Sequence, residues 1–154
     1  MKSKYKFSCK IFKKLNINEL YEIVKSRYEV FVCDQEITSE YDFDDKDKEC
    51  IHLFAMDDEG KKVIGYCRLL PPGLAYEEAS IGRVLVLKEY RNKGLAKEMM
   101  IRAIEEIKKN YDTDRITLSA QSYIKNLYIS VGFKEVSEEY EEAGIPHVKM
   151  KFRI

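Results

Sequence analysis

The stretch Ile81-Gly82-Arg83-Val84-Leu85-Val86-Leu87-Lys88-Glu89-Tyr90-Arg91-Asn92-Lys93-Gly94-Leu95-Ala96 decides how this chain is read. The apolar run Ala79 to Leu87, rich in β-branched residues and Leu, has the composition of a central strand covered on both faces. It ends in a short basic loop holding one glycine. That loop feeds into Gly94 to Tyr111, where Leu95, Met99, Met100, Ala103, Ile104 and Ile107 recur at helical spacing. The first turn of a helix leaves backbone N–H groups without intrahelical partners, and these carry the positive end of the helix dipole. Gly94 lets a ligand approach the backbone, Ala96 keeps the next contact small, and Arg91 and Lys93 add positive charge at the same point. Such an assembly suits a pyrophosphate. It carries neither the G-x-x-x-x-G-K-S/T of a P-loop nor the G-x-G-x-x-G of a dinucleotide fold. On the residues alone a blander reading stays open, in which Gly94 merely opens a helix and the basic residues are solvated.

Around this junction the pattern alternates strand and helix. Phe7 to Phe12 reads as a first strand, and Asn16 to Val32 as a helix with Asn16 and Glu19 as a capping pair. The shared face of that helix is expected to be Leu20, Ile23, Val24, Arg27, Tyr28 and Phe31. Cys50 to Met56 and Val63 to Leu70 form a hairpin through Asp57-Asp58-Glu59-Gly60-Lys61. Arg115 to Ala120 is a strand, Ser122 to Val131 a short helix, and Phe133 to Val136 with Val148 to Phe152 a closing strand pair. The expected fold is α/β, a mixed central sheet of six to seven strands with helices on its faces. The 154 residues make one domain, spanning 1–154.

Composition narrows the function. Lysine plus arginine number 27 and aspartate plus glutamate 27, so there is no basic excess of the kind a nucleic-acid binder uses. No apolar run approaches the ~20 residues that span a bilayer, and no apolar segment follows the basic start as a signal peptide requires. Cys9, Cys33, Cys50 and Cys67 lack C-x2-C spacing. Three of them sit in apolar strand-like runs, which predicts reduced thiols and a cytoplasmic protein without a metal. The segment Cys33 to Glu49 is acidic at 34, 36, 40, 42, 44, 45, 47 and 49, and reads as a mobile loop or at most a short helix. It lacks the register of an EF-hand.

Arg91-Asn92-Lys93-Gly94-Leu95-Ala96 matches the R/Q-x-x-G-x-G/A signature of the GNAT N-acetyltransferases, and Leu127-Tyr128-Ile129-Ser130-Val131-Gly132-Phe133 resembles that family's second signature. Arg27 to Gln35, Ile81 to Val84, Ala120-Gln121 and Glu141 to His147 resemble the ElaA subgroup, so the likeness runs roughly from Leu20 to Met150. Ala96 stands where many members have Gly, and Lys88 where many have Pro.

The resemblance implies acetyl-CoA as donor, lying where two parallel strands splay on either side of the main helix. Val84, Leu85 and Val86 would pair with pantetheine, and Arg91, Asn92, Lys93, Gly94, Leu95 and Ala96 would hold the pyrophosphate. Gln121 and Asn126 are further cofactor candidates. It implies Tyr128 as general acid to the leaving sulfur and the Val86 backbone N–H as oxyanion donor. The plain alternative for Tyr128, one of eleven tyrosines, is packing between Ile124 and Val131. The base stays open between His147 and His52, with Glu36 and Glu142 as alternatives. Arg27, Glu36, Arg83, Glu142 and His147 are candidate substrate contacts, Arg83 also being a residue that demands an acidic partner. The acidic segment would wall the acceptor site and favour a cationic amine. The expected partner is a small-molecule or peptide amine, with no nucleic acid and no membrane, and monomer and homodimer are both open. The expected activity is direct N-acetyl transfer; the alternative is a non-catalytic sensor of acetyl-CoA or CoA.

Overall fold

Asn16 sets where the first helix begins. In the computed structural model, which describes residues 5–154, its side chain accepts from the Glu19 amide while the Glu19 carboxylate accepts from the Asn16 amide. Two N–H groups that the helix itself cannot satisfy are thereby paired. Helix α1 runs Ile17–Arg27 and continues into a π-helical stretch, Tyr28–Asp34. Its inward face is Glu19, Ile23, Ser26 and Arg27, followed by Val30 and Phe31. Val24 and Tyr28, expected on that face, are exposed. The apolar pattern misleads here because polar residues with partners of their own take the buried positions.

The strands are β1 Phe7–Ile11, β2 Ile51–Met56, β3 Val63–Leu70, β4 Ala79–Val86, β5 Arg115–Gln121, β6 Lys134–Glu135, β7 Tyr140–Glu142 and β8 Ile145–Arg153. They form one sheet in the order β1-β2-β3-β4-β5-β8-β6, with β7 also on β8. Every pairing is antiparallel except β4 with β5. The sheet has eight strands rather than six or seven. The extra one is β7, a three-residue strand that turns back onto β8 through Ala143 and Gly144. That hairpin is too short to show a period of two.

Helix α2, Leu95–Asn110, buries the six apolar residues read from the sequence. Each of the five larger side chains among them contributes roughly 1.5–3 kcal/mol on leaving water. Gly65 on β3 is where this helix comes closest, since a Cβ there would stand 3.2 Å from Leu95 Cδ2. The next residue, Tyr66, points to the opposite face, where the Arg27 guanidinium of α1 lies 5.6 Å from its ring centroid. Helices therefore cover both faces, and α3, Lys125–Ser130, packs beside α2. All four cysteines are free thiols. Among the described residues no helix is long and apolar enough to cross a membrane.

Candidate active site

Strands β4 and β5 pair only at Ala79 with Ile116 and Ser80 with Thr117. Beyond those residues they part, β4 running on to Val86 and β5 to Gln121. The gap is a cavity of about 990 Å³, lined on one side by Ile81 to Val86 and on the other by Leu118, Ser119 and Gln121. Leu87 N donates to Ile64 O on β3 at 2.9 Å. Backbone groups alternate in direction along a strand, so the N–H and C=O of Val86 face the gap. The Val86 carbonyl accepts from Arg91 Nε at 2.9 Å. Upstream, two β3 residues span what three on β4 span, with Tyr66 opposite Leu85 and Arg68 opposite Gly82. The extra residue is a bulge at Arg83, whose φ is +52°.

At the mouth of the gap, α2 begins at Gly94 with φ +85° and no side chain caps it. A Cβ at Gly94 would meet nothing within 4 Å, so glycine is needed here for its left-handed backbone, and the surrounding space is open. Uncapped first-turn amides beside open space fit a phosphate group. Arg91, Asn92, Gly94, Leu95 and Ala96 line the cavity, as do Val84, Leu85 and Val86. Lys93 does not: its Nζ folds back onto Glu89 O at 3.3 Å and toward the Tyr90 ring.

Tyr128 and Asn126, both on α3, line the same cavity. The Tyr128 ring is buried edge-on to Phe133, and its hydroxyl makes no hydrogen bond among the described residues. Burial pushes the phenol well above its ordinary pKa. It keeps its proton and offers a hydrogen bond. Gln121 also lines the cavity, but its amide forms a reciprocal pair with Gln35, at 2.9 and 3.0 Å. That clasp joins the end of the π-helical stretch to the end of β5, and Gln35 was not singled out from the sequence. Its only sequence signal was its place at the end of the Arg27–Gln35 stretch.

Past Asp34 the acidic segment is irregular apart from one 3₁₀ turn, Lys46–Glu49, as expected, and arginines tie it to the rest of the fold. Arg27 Nη1 meets Asp47 Oδ1 at 2.6 Å and Arg27 Nε meets Asp42 Oδ2 at 3.0 Å. Arg68 grips both carboxylate oxygens of Asp44, at 2.6 and 2.9 Å, and reaches Asp47 at 3.1 Å. Arg83 Nε lies 3.1 Å from Asp42 Oδ1. Three guanidinium groups thus neutralise three carboxylates, although Asp47 Oδ2 and Arg68 Nε remain buried without partners. Burial alone would pull Arg27 and Arg68 down, but the neighbouring acidic and phenolic groups outweigh it and raise both. The Arg68 hydrogen bonds hold Asp44 well below the usual carboxylate range. The acidic segment does wall the cavity, through Glu40, Asp42 and Asp44, but the charge of Asp42 and Asp44 is taken up by arginine.

Arg27 is buried in this cluster and does not line the cavity, so it is not placed to touch a substrate. His52 is corrected likewise. Its Nε2 lies 2.8 Å from Asp47 O, which can only accept, so Nε2 carries the proton and Nδ1 accepts from Tyr66 OH at 2.7 Å. Both ring nitrogens are engaged outside the cavity, and burial lowers the pKa. Asp47, Cys50 and His52 bring donor atoms within 4.8 Å of one another. They do not make a cation cage: guanidinium groups hold Asp47, and burial pushes the Cys50 thiol up to about 12, leaving it protonated. Glu36 has a positive φ and is not on the cavity wall.

His147 is placed differently. It is buried and lines the cavity. Its Nδ1 lies 2.7 Å from Ile145 O, which can only accept, so Nδ1 is the donor. Nε2 faces Glu142 Oε2 at 3.5 Å, and the ring stacks on Tyr140. Glu142 also lies 3.4 Å from Ser119 Oγ, which is hydrogen-bonded to Tyr140 OH. Ser119 and Tyr140 carried no motif in the sequence; the β5–β8 register brings Ser119 close to His147, and the β7–β8 register sets Tyr140 opposite it.

With this geometry in hand, the chain can be set beside known proteins. The model of the acetyltransferase (GNAT) domain matches residues 17–154. The chain belongs to the GNAT family. Within it the likeness is to ElaA: Protein ElaA of Escherichia coli is 31% identical over 137 residues, covering 88% of each chain. A UPF0039 protein of Schizosaccharomyces pombe is 37% identical over 153 residues, 99% of each. The crystal structure of E. coli ElaA superposes with a TM-score of 0.87 at 28% identity, covering 97% of this chain and 99% of that one. An acyl-CoA N-acyltransferase from Pseudomonas aeruginosa gives 0.84 at 33% identity, covering 96% and 99%. This family-level likeness supports acyl transfer as the chemistry of the fold.

Proposed function

We propose that this protein transfers an acetyl group from acetyl-CoA to a primary amine, directly within a ternary complex. The observation that carries the reading is the parting of β4 and β5 beyond Ser80 and Thr117, with the uncapped first turn of α2 at the mouth of the gap. Acetyl-CoA would supply an acyl group activated as a thioester. The first-turn amides of α2, with Arg91 held against the strand end, suit its pyrophosphate. The free edge of β4 at Val84 to Val86 suits its amides, so cofactor binding completes a sheet edge. The Val86 N–H, facing the gap, is placed to donate to the charge that develops on the carbonyl oxygen.

His147 Nε2 takes the proton that the attacking amine must lose, and Glu142 stabilises the imidazolium so formed. Tyr128 gives its hydrogen bond to the departing sulfur. Because burial disfavours the phenolate, that bond, rather than a lasting proton loss, is its contribution. No cysteine lines the cavity among the described residues, which favours direct transfer over an acyl-cysteine intermediate. Incubation with acetyl-CoA and amines, followed by free thiol release, tests the reading. CoA at a hundred times its Kd should raise stability by about 2.7 kcal/mol. Binding without turnover on any amine would leave the sensor reading; no binding would remove both.

A further inference from the structure

An acid–imidazole pair and an arginine with a free nitrogen both line the cleft. On the β7–β8 side stand His147 and Glu142, joined at 3.5 Å, where an amine loses its proton in the reading above. On the β4 side stands Arg83, turned toward the acidic segment by its bulge. A strand rises about 3.3 Å per residue. Arg83 therefore lies roughly 10 Å back from Val86, on the side away from the α2 terminus, which separates it from a pyrophosphate held there.

All of the Arg83 contacts run through two of its three nitrogens. Nε and Nη2 meet Asp42 O at 3.1 and 2.9 Å, and Nη2 also meets Tyr41 O at 3.4 Å. Its carboxylate contacts are Nε to Asp42 at 3.1 Å and Nη2 to Asp44 at 3.5 Å. Both carboxylates are shared with better-placed partners, Asp42 with Arg27 and Asp44 with the two-point grip of Arg68. The consequence shows in the charges. Arg27 and Arg68 are raised by their surroundings, whereas burial and repulsion from Arg68 and Arg27 lower Arg83. Arg83 is the least compensated cation of the three, and its Nη1, which is not a buried orphan, is the nitrogen left for a ligand. Glu40, Asp42, Asp44, Lys46 and Arg68 line the cavity with it, three acids against three cations, so what distinguishes Arg83 is the nitrogen its partners leave open.

We propose that the acceptor is an amine that also carries a carboxylate, with the carboxylate on Arg83 Nη1 while the amino group lies at His147 and Glu142. The proposal rests on the acetyl-transfer reading. A guanidinium donates charge-assisted hydrogen bonds that an ammonium or an amide does not match, and such a donor in the same cavity as the proposed base favours an amine that also bears a carboxylate.

The test uses the native protein with acetyl-CoA and a panel of L-amino acids and short peptides. Each is paired with the same molecule lacking its carboxylate, as the decarboxylated amine or the carboxamide, and thiol release is followed. For acceptors that are consumed, kcat/KM for the acid should exceed that for its neutral twin by about 10- to 100-fold, the worth of a charged hydrogen bond. Arg83→Met should erase most of that ratio, and Arg83→Lys should restore part of it. Equal rates within the pairs in native protein, a ratio unchanged in Arg83→Met, or no carboxylate-bearing amine consumed would each overturn the proposal. Calorimetry of CoA on the same samples keeps the two readings apart. CoA bound and only carboxylate-free amines consumed overturns the acceptor assignment and leaves acetyl transfer standing, whereas failure to bind CoA overturns acetyl transfer itself.

Discussion

The arginine–aspartate cluster under α1 and the cleft between β4 and β5 are both crowded with polar groups, but their partners come from different places. In the cluster, Arg27, Arg68 and Arg83 answer Asp42, Asp44 and Asp47, drawn from segments far apart in the chain. In the cleft, the β4 edge, the first-turn amides of α2 and the Tyr128 hydroxyl have few partners from the protein. Charge buried without a partner is costly, so the first arrangement holds shape. Backbone polar groups left over at an accessible edge must be satisfied from outside, so the second arrangement binds.

The sharpest way to break this contrast is to remove a partner from the cluster. Asp47→Ala leaves two buried guanidinium groups short of their shared carboxylate and should cost about 3–5 kcal/mol in denaturant unfolding. A loss under about 1 kcal/mol would mean that the cluster is decorative. In the cleft, Gly94→Val forces a branched residue into φ +85° at the start of α2. Strain of about 1–3 kcal/mol is expected, together with at least a tenfold loss of CoA affinity by calorimetry (about 1.4 kcal/mol).

Tyr128→Phe separates the two regions more finely. Because the hydroxyl has no protein partner, melting should change by less than about 0.5 kcal/mol, while kcat falls about tenfold or more (about 1.4 kcal/mol) and acetyl-CoA binding persists. A large drop in stability with unchanged kcat would return Tyr128 to the core. The smallest effect is a pH dependence belonging to the cluster. His52 is held neutral, with its folded pKa below the unfolded value of about 6.5, so the unfolded chain takes up a proton first as pH falls. Its contribution is present above that value and lost beneath it. The difference between native and His52→Gln unfolding curves, measured from pH 8 to pH 5, should show this slope, and parallel curves would refute it.

How much of this was readable in the chain follows the same division. The strand–loop–helix at Ala79 to Tyr111, the Asn16–Glu19 cap and the six buried residues of α2 are local patterns, and local patterns survive folding. On the inward face of α1, Ile23, Arg27 and Phe31 stand as expected, whereas Glu19 and Ser26 are buried and Val24 and Tyr28 are not; nothing near Arg27 in sequence announces Asp42 or Asp47. The two histidines look alike as residues beside apolar neighbours. Only the sheet register places one against Tyr66 and the Asp47 carbonyl and the other on the cavity wall. The acidic run was legible as charge but not as spent charge. The Gln35–Gln121 clasp joins positions 86 residues apart, beyond any local rule.

That clasp has a mechanical consequence. It ties the end of β5 to the segment after α1, across the cavity that both residues line, where the ladder of β4 and β5 has already given out. Two identical amides that each give and receive satisfy one another without any net charge, so this tie between distant segments carries none of the charge-desolvation cost that the neighbouring ion pairs do.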